Sequence, residues 1–273
     1  MSSRIFEGST LASDYARYRP SVPAVVTESV IKHIRETTGP KLGLVVDVGC
    51  GSGQFTQSLA QYFDRALGFD VSEAQIEEAK KHNKFSHVEY SISPAEELPL
   101  ESGCVDLLTV ASAIHWFDMP TFTREVDRIL KPGGCIAVIG TYRIRAIDHQ
   151  NALIKERLIK CREKYTRELN NYRVIDQQTY CTFYDTLEFP SYDLKRYSVE
   201  YVRTLTAPAY INFLQTISFS IKYHERHPNT TFFDEYRDSL HSILVSEGEE
   251  HEASFQLTWF YDVLIACKPL TQS

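Results

Sequence analysis

Two hydrophobic periods alternate through the first half of the chain. Val45-Val46-Asp47-Val48 is an apolar run, Gly49-Cys50-Gly51-Ser52-Gly53 follows, and from Gln54 to Phe63 the apolar positions Phe55, Leu59 and Tyr62 or Phe63 fall on one helical face. This reads as a buried strand, a glycine turn and a helix. The unit then repeats. Ala66–Asp70 is strand-like, and Ser72 is placed to cap a helix to Asn83 that buries Ile76 and Ala79, with Glu77 and Lys81 at ion-pair spacing. His87–Ile92 and Cys104–Ala111 read as strands. Pro120–Leu130 reads as a helix with Phe122, Val126 and Ile129 on one face, stopped by Lys131-Pro132-Gly133-Gly134, and Cys135–Thr141 as the next strand. Ahead of them, Val25, Val26, Val30, Ile31 and Ile34 form an amphipathic helix ending near Gly39-Pro40. Five strand–helix alternations predict an α/β fold with a doubly wound parallel sheet.

The pattern changes after Tyr142. Asp148 to Asn170 reads as a charged helix with a narrow stripe of Leu153, Ile154, Leu158 and Ile159. An aromatic and acidic stretch, Phe183–Phe189, and Leu194–Ser198 follow, with Ser198 capping another helix. Asn212–Ile221 and Phe232–Leu244 read as further helices, and Phe255–Cys267 as a closing antiparallel strand. The expected organisation is an arm and first helix over 1–40, an α/β core over 41–142, a helical cap insertion containing a core strand over 143–250, and the closing strand over 251–273.

Near the N-terminus, Tyr15-Ala16-Arg17-Tyr18-Arg19-Pro20 precedes a second proline, Pro23, which argues for an ordered non-helical arm. With 36 acidic and 29 basic residues the chain carries a formal net charge of -7, so it has no electrostatic reason to seek nucleic acid or an anionic membrane. The six cysteines are widely spaced, without Cys-x-x-Cys or Cys/His zinc spacing, and read as free thiols of a reducing compartment with no metal. Met1–Arg4 lacks a leader's apolar core, Thr271–Ser273 lacks a lipidation cysteine, and no apolar run spans a bilayer. The expectation is a cytoplasmic protein, monomer or homodimer, acting on a small molecule.

The chemistry concentrates at the strand ends. The glycines at 49, 51 and 53, with Gln54 in the sixth position, depart from the dinucleotide fingerprint, which disfavours a nicotinamide oxidoreductase. Asp70 lies 19 residues after Gly51, a placement that suits an acid accepting from ribose hydroxyls. Ser93-Pro94-Ala95-Glu96 is an acidic loop after the third strand, and His115-Trp116-Phe117 follows the fourth. With Leu130-Lys131-Pro132-Gly133-Gly134 as the fifth, these landmarks, over residues 13–142, resemble the class I S-adenosylmethionine (SAM) methyltransferases of the small-molecule, type 11-like group, with a seven-stranded Rossmann-like sheet. The resemblance implies SAM as cofactor, held by Asp47, Gly49, Cys50, Gly51, Gly53, Gln54, Asp70, Val71 and Ala111, with Ser93, Ala95 and Glu96 at the adenine.

The arm Tyr15-x-x-Tyr18-Arg19-Pro20 resembles that of the trans-aconitate methyltransferases, which implies that Tyr15 and Arg19 close over the cofactor, with Arg19 at its carboxylate. Tyr201–Tyr210 resembles a substrate segment of the fungal members and singles out Arg203. The expected reaction is O-methylation of a small carboxylic acid, trans-aconitate-like or lipidic. His115, Trp116 and Arg203 would hold the acid, since a carboxylate is ionised at neutral pH and needs no base. A phenol, amine or sulfur acceptor would instead need His115 as base, and a SAM-binding regulator without turnover is the reading from another class.

Overall fold

The central strands are apolar on both faces because each face is covered. In the computed structural model, which describes residues 8–246 and 253–270, β1 (Leu44–Val48) and β4 (Val105–Ala111) are almost entirely buried. Val45, Leu107 and Ala137 belong to one core layer, while Val46, Leu108 and Val138 belong to the other. The first layer is covered by α2 (Ala24–Thr38) and α3 (Gln54–Ala60), and the second by α5 (Met119–Ile129) through Phe122, Val126 and Ile129. The remaining core elements are β2 (Arg65–Asp70), α4 (Glu73–Lys81), β3 (Val88–Ile92) and β5 (Leu130–Asp148).

Among the described residues the sheet has seven strands, in the order β3-β2-β1-β4-β5-β7-β6. The first five run parallel, and β7 (Ser254–Cys267) inserts antiparallel between β5 and β6 (Asp193–Thr206). The strand order reverses between β1 and β4, which is where open α/β sheets bind ligands beyond the strand ends. The other helices are α1 (Ser9–Tyr18), α6 (Ala152–Asn170), α7 (Gln177–Thr186), α8 (Ala207–Gln215), α9 (Ser218–Arg226) and α10 (Phe232–Leu244). Ser72 caps α4 by accepting from the Gln75 amide, as the spacing implies.

Several expectations are corrected. The arm begins as helix α1; Pro20 does not prevent it but ends it, by holding Arg19 extended at φ -71°, ψ 127°. Helix α3 stops at Ala60, short of Phe63, and Lys81 pairs with Glu78 at 3.3 Å in place of the Glu77 partner its spacing suggested. The fifth strand continues to Asp148, because β7 gives it a partner down to Asp148↔Gln256. Ser198 starts no helix: it sits inside β6, which pairs with β7 from Asp193↔Cys267 to Thr206↔Ser254, and it is Thr206 that caps α8. The helix expected over 212–221 is two helices separated at Thr216-Ile217.

The expectation of six free thiols is also corrected. Cys135 and Cys267 face each other across β5 and β7 and form a disulfide, a pairing that a separation of 132 residues hides from linear reading. Among the described residues, no helix is long and apolar enough to cross a membrane. The terminal stretches 1–4 and 271–273 lie outside the described residues.

Candidate active site at the sheet's switch point

The glycine turn is built by the backbone of β2. Gly49 and Cys50 both donate their amides to the Phe69 carbonyl, at 2.8 and 3.0 Å. The Gly51 amide donates to Asp70 Oδ2 and the Ser72 amide to Oδ1, each at 2.9 Å. Asp70 therefore clamps the turn from the next strand, and burial raises its pKa while those amide bonds oppose the rise. Gly49 has φ +66°, and a Cβ there would stand 2.5 Å from the Ala113 Cβ. Gly53, at φ +78°, leads into α3.

A cavity of about 270 Å³ opens above this turn. Tyr15, Arg19, Asp47, Gly49, Cys50 and Gly51 line one side of it. Gln54, Ala111, His115 and Trp116 also line it. Gln54 is spent on the protein, since its Nε2 donates to the Ala16 carbonyl at 2.8 Å and ties α1 to α3. Arg19 lies 5.3 Å over the Tyr15 ring and 5.8 Å from the Phe213 ring, and its Nη1 is buried with no hydrogen-bond partner. Gln75 Oε1 is likewise buried and unpartnered, near Gly51. Unpaired buried polar atoms cost ~1–3 kcal/mol each, so a cavity lined by the orphan cation donor of Arg19 fits a carboxylate, as the amino-acid end of SAM carries.

The other expected cofactor residues stand outside the cavity lining. Val71 and Ile92 are exposed, and Ile92 registers with Asp70, giving an apolar shelf beside the acid. Ser93 is buried with its hydroxyl donating to the Glu97 carbonyl at 2.8 Å, Ala95 is buried, and Glu96 accepts from the Asp118 amide at 2.8 Å. Arg203 is also outside the lining. It lies on β6, with its guanidinium 5.6 Å from the ring of Trp259, a cavity-lining residue, on an adjoining groove with Tyr201 and Tyr62 that shares Arg19–Val22 with the cavity.

Besides Arg19, the cavity holds two cations that the sequence did not single out, Arg162 and Arg173. Arg162, Thr166, Leu169 and Arg173 recur at helical spacing along α6 and the turn after it, and all four line the cavity. Arg162 is hydrogen-bonded with the buried Tyr210. Arg173 lies 5.1 Å from the Phe219 ring, its Nε donates to Asn170 Oδ1 at 2.8 Å, and burial lowers its pKa. The spacing 162, 166, 169, 173 was the available signal, hidden beside the apolar stripe.

His115 sits in a 3-10 turn after β4, just past Ser112, which adopts φ 57° at the strand end. Its ring is 4.7 Å from both Trp116 and Tyr180, and its Nδ1 is 3.2 Å from the Tyr184 hydroxyl. Burial, with a smaller contribution from Arg19, lowers its pKa to about 4, so the imidazole is neutral at physiological pH. Asp47 is the one carboxylate among the described lining residues. Thr56 and Thr109 donate to its two oxygens at 2.6 and 2.8 Å, and burial raises its pKa to about 6 despite those bonds.

Because the folded state binds this proton more tightly than the unfolded chain, Asp47 contributes stability that is fully present below its unfolded pKa of roughly 4 and is lost as pH rises through about 6. Denaturant midpoints followed across that window are expected to show a gain on acidification that is absent in Asp47→Asn.

Residues 46–138 match the model of a family described as a methyltransferase domain. A Dictyostelium discoideum protein named as a methyltransferase is 39% identical over 142 residues, 52% of this chain and 51% of that protein. A Saccharomyces cerevisiae protein named as an S-adenosylmethionine-dependent methyltransferase is 28% identical over 147 residues, 52% of this chain and 49% of that protein. The chain thus spans about half the length of these curated relatives. Among solved structures, one described as a type II methyltransferase from Anaeromyxobacter dehalogenans superposes with a TM-score of 0.71 at 25% identity, covering 94% of this chain and 100% of that one.

Proposed function

We propose that the chain is a class I SAM-dependent methyltransferase, a reading supported by the methyltransferase-domain match over residues 46–138 and the relatives above, and that it methylates the carboxylate of a small, partly apolar acid. The observation that carries this reading is Arg173: a guanidinium inside the cavity, stacked near an aromatic ring, whose described partners include no carboxylate. With Arg19 and Arg162 the described lining residues include three guanidiniums against one carboxylate, and Asp47 is already satisfied by two hydroxyls. Two opposite charges ~6 Å apart attract by ~3 kcal/mol at an effective dielectric of ~20, enough to select an anion over a neutral analogue of equal shape. Around Arg173, Phe219, Ile217, Leu214 and Leu169 supply an apolar wall for the rest of the acceptor.

The bound cofactor supplies a methyl group on a sulfonium, an electrophile that is already activated. A carboxylate oxygen would take that methyl group as the C–S electron pair returned to sulfur, so the residues of this chain would have no proton to move. The protein's task is alignment and exclusion of water. Gly49 and Gly51 let the cofactor approach the backbone, Arg19 takes its carboxylate, and Arg173 orients the acid. His115 and Trp116, which line the cavity, would offer ring N–H groups to the acid. A base is not needed, which agrees with a histidine whose pKa has fallen to about 4.

The reading is tested by thermal unfolding with sinefungin present. Phenylacetate and aliphatic acids of similar size are expected to raise the melting midpoint, while the matching alcohols and amines leave it unchanged. Equal shifts from amines or alcohols would overturn the acid assignment. Once an acceptor acid is in hand, kcat/KM is expected to stay flat between about pH 7 and pH 8, above the range in which the acid, His115 and Asp47 change charge; a rise with pH there would mean a proton must be removed.

A further inference from the structure

His115 and Tyr180 line the cavity, and Tyr184 stands behind them on α7. Tyr184 is buried at 6% exposure, and its hydroxyl lies 3.2 Å from His115 Nδ1. The Tyr180 and Tyr184 hydroxyls share a further hydrogen bond, and the two rings are 5.0 Å apart. Three groups that can each donate or accept are thus chained, His115–Tyr184–Tyr180, with both ends at the cavity. Such a chain has two polarities. In one, Tyr180 donates to Tyr184, Tyr184 donates to Nδ1, and the ring proton is on Nε2. In the other every bond reverses, and Nε2 carries a lone pair.

The two are not equal in energy. A phenol hydroxyl is a much stronger proton donor than a neutral imidazole N–H, and an imidazole nitrogen a stronger acceptor than a phenol oxygen. An O–H···N bond is therefore favoured over N–H···O between the same two groups. From this geometry we infer that Tyr184, by donating to Nδ1, is a positioning residue that holds His115 as a hydrogen-bond donor toward the cavity, so that the imidazole recognises an ionised acceptor instead of deprotonating a neutral one. The recognition half of this inference rests on the acid reading above; the polarity half does not. Its consequence is selectivity: a phenol or alcohol meets an N–H where it would need a lone pair, while a carboxylate oxygen finds a donor.

Histidine-labelled ¹⁵N NMR on the whole protein reads the polarity without any acceptor. The chain has nine histidines, and His115→Gln assigns the relevant signals by their loss. The expected result is a proton on Nε2 and an Nδ1 resonance typical of a bare nitrogen accepting a hydrogen bond, with that resonance moving toward the unbonded position in Tyr184→Phe. A proton on Nδ1 in the wild type, or an Nδ1 resonance unmoved by Tyr184→Phe, would overturn the inference. If Tyr184→Phe does not fold, Tyr180→Phe breaks the next bond of the chain and is expected to move the same resonance in the same direction by less; no movement would overturn the inference equally.

Recognition is read with phenylacetate. Loss of one supporting hydrogen bond is expected to weaken its binding roughly fivefold in Tyr184→Phe. In the His115→Gln background the same substitution is expected to change binding less than twofold. An equal loss in both backgrounds would mean Tyr184 acts by packing alone. Phenylacetate that fails to bind the wild type counts against the acid reading and the donor role built on it, while the ¹⁵N spectrum still decides the polarity by itself.

Discussion

Gly49→Ala is expected to weaken cofactor binding more than 100-fold and to destabilise the fold by about 3 kcal/mol. Two effects add at this position. The residue has φ +66°, which an L side chain adopts only at a cost, and the new Cβ would sit 2.5 Å from the Ala113 Cβ with the Phe117 ring 3.4 Å away. Neither neighbour is the loose end of a flexible chain, so the turn itself must move. That turn carries the Gly49 amide bonded to Phe69 and the Gly51 amide bonded to Asp70, and displacing it breaks the cradle. Gly103→Ala is the control. It shares a positive φ of +64° but meets nothing within 4 Å, so it should cost about 1 kcal/mol and leave sinefungin binding intact. Calorimetric titration with sinefungin and denaturant unfolding separate the two effects. Equal losses from both variants would show that strain, not the cradle, is responsible.

Arg173→Met is expected to raise KM for the acid acceptor roughly 30- to 100-fold while kcat changes little, the pattern of a binding contact kept from ground state to transition state. Methionine keeps much of the apolar stem against Phe219 and removes only the charge. Arg173→Lys should recover part of the loss, since a point charge replaces a planar fork. Arg203→Met is expected to leave KM within about threefold, because that guanidinium packs over Trp259 from outside the cavity lining. Steady-state kinetics with the acceptor acid decides. A large effect at Arg203 and none at Arg173 would return the anchor to the position the sequence first suggested.

The core was legible where pattern and punctuation are local. Val45–Val48, the glycines and the Ser72 cap each declare themselves within a few residues, and the architecture follows from their repetition. Beyond Tyr142 that locality fails. Ser198-Val199-Glu200-Tyr201 can open a helix in isolation; it is a strand because β7, reached only after α8, α9 and α10, pairs with it at Ser198↔Asp262 and Val199↔Tyr261. The cysteine pair is hidden for the same reason.

Of the cavity lining, Asp47, Gly49, Gly51, His115 and Trp116 could be picked out in the sequence because the switch point gathers what lies at the ends of β1 and β4. Arg173 was not, since its place depends on where α6 ends and how the following turn folds back. Arg203 was singled out by likeness of a short segment, and such a segment fixes neither which face of a strand a side chain takes nor what stands between it and the cavity.

The central claim is methyl transfer to a carboxylate, and methyl-labelled SAM tests it most directly. Purified protein is incubated with the labelled cofactor and a panel of acids, phenols, alcohols and amines, and extractable label is counted before and after mild alkaline hydrolysis. The account predicts label with acids alone, released by base as methanol, as a methyl ester requires. Base-stable label on a phenol or amine would contradict it, and would make His115 a proton acceptor after all.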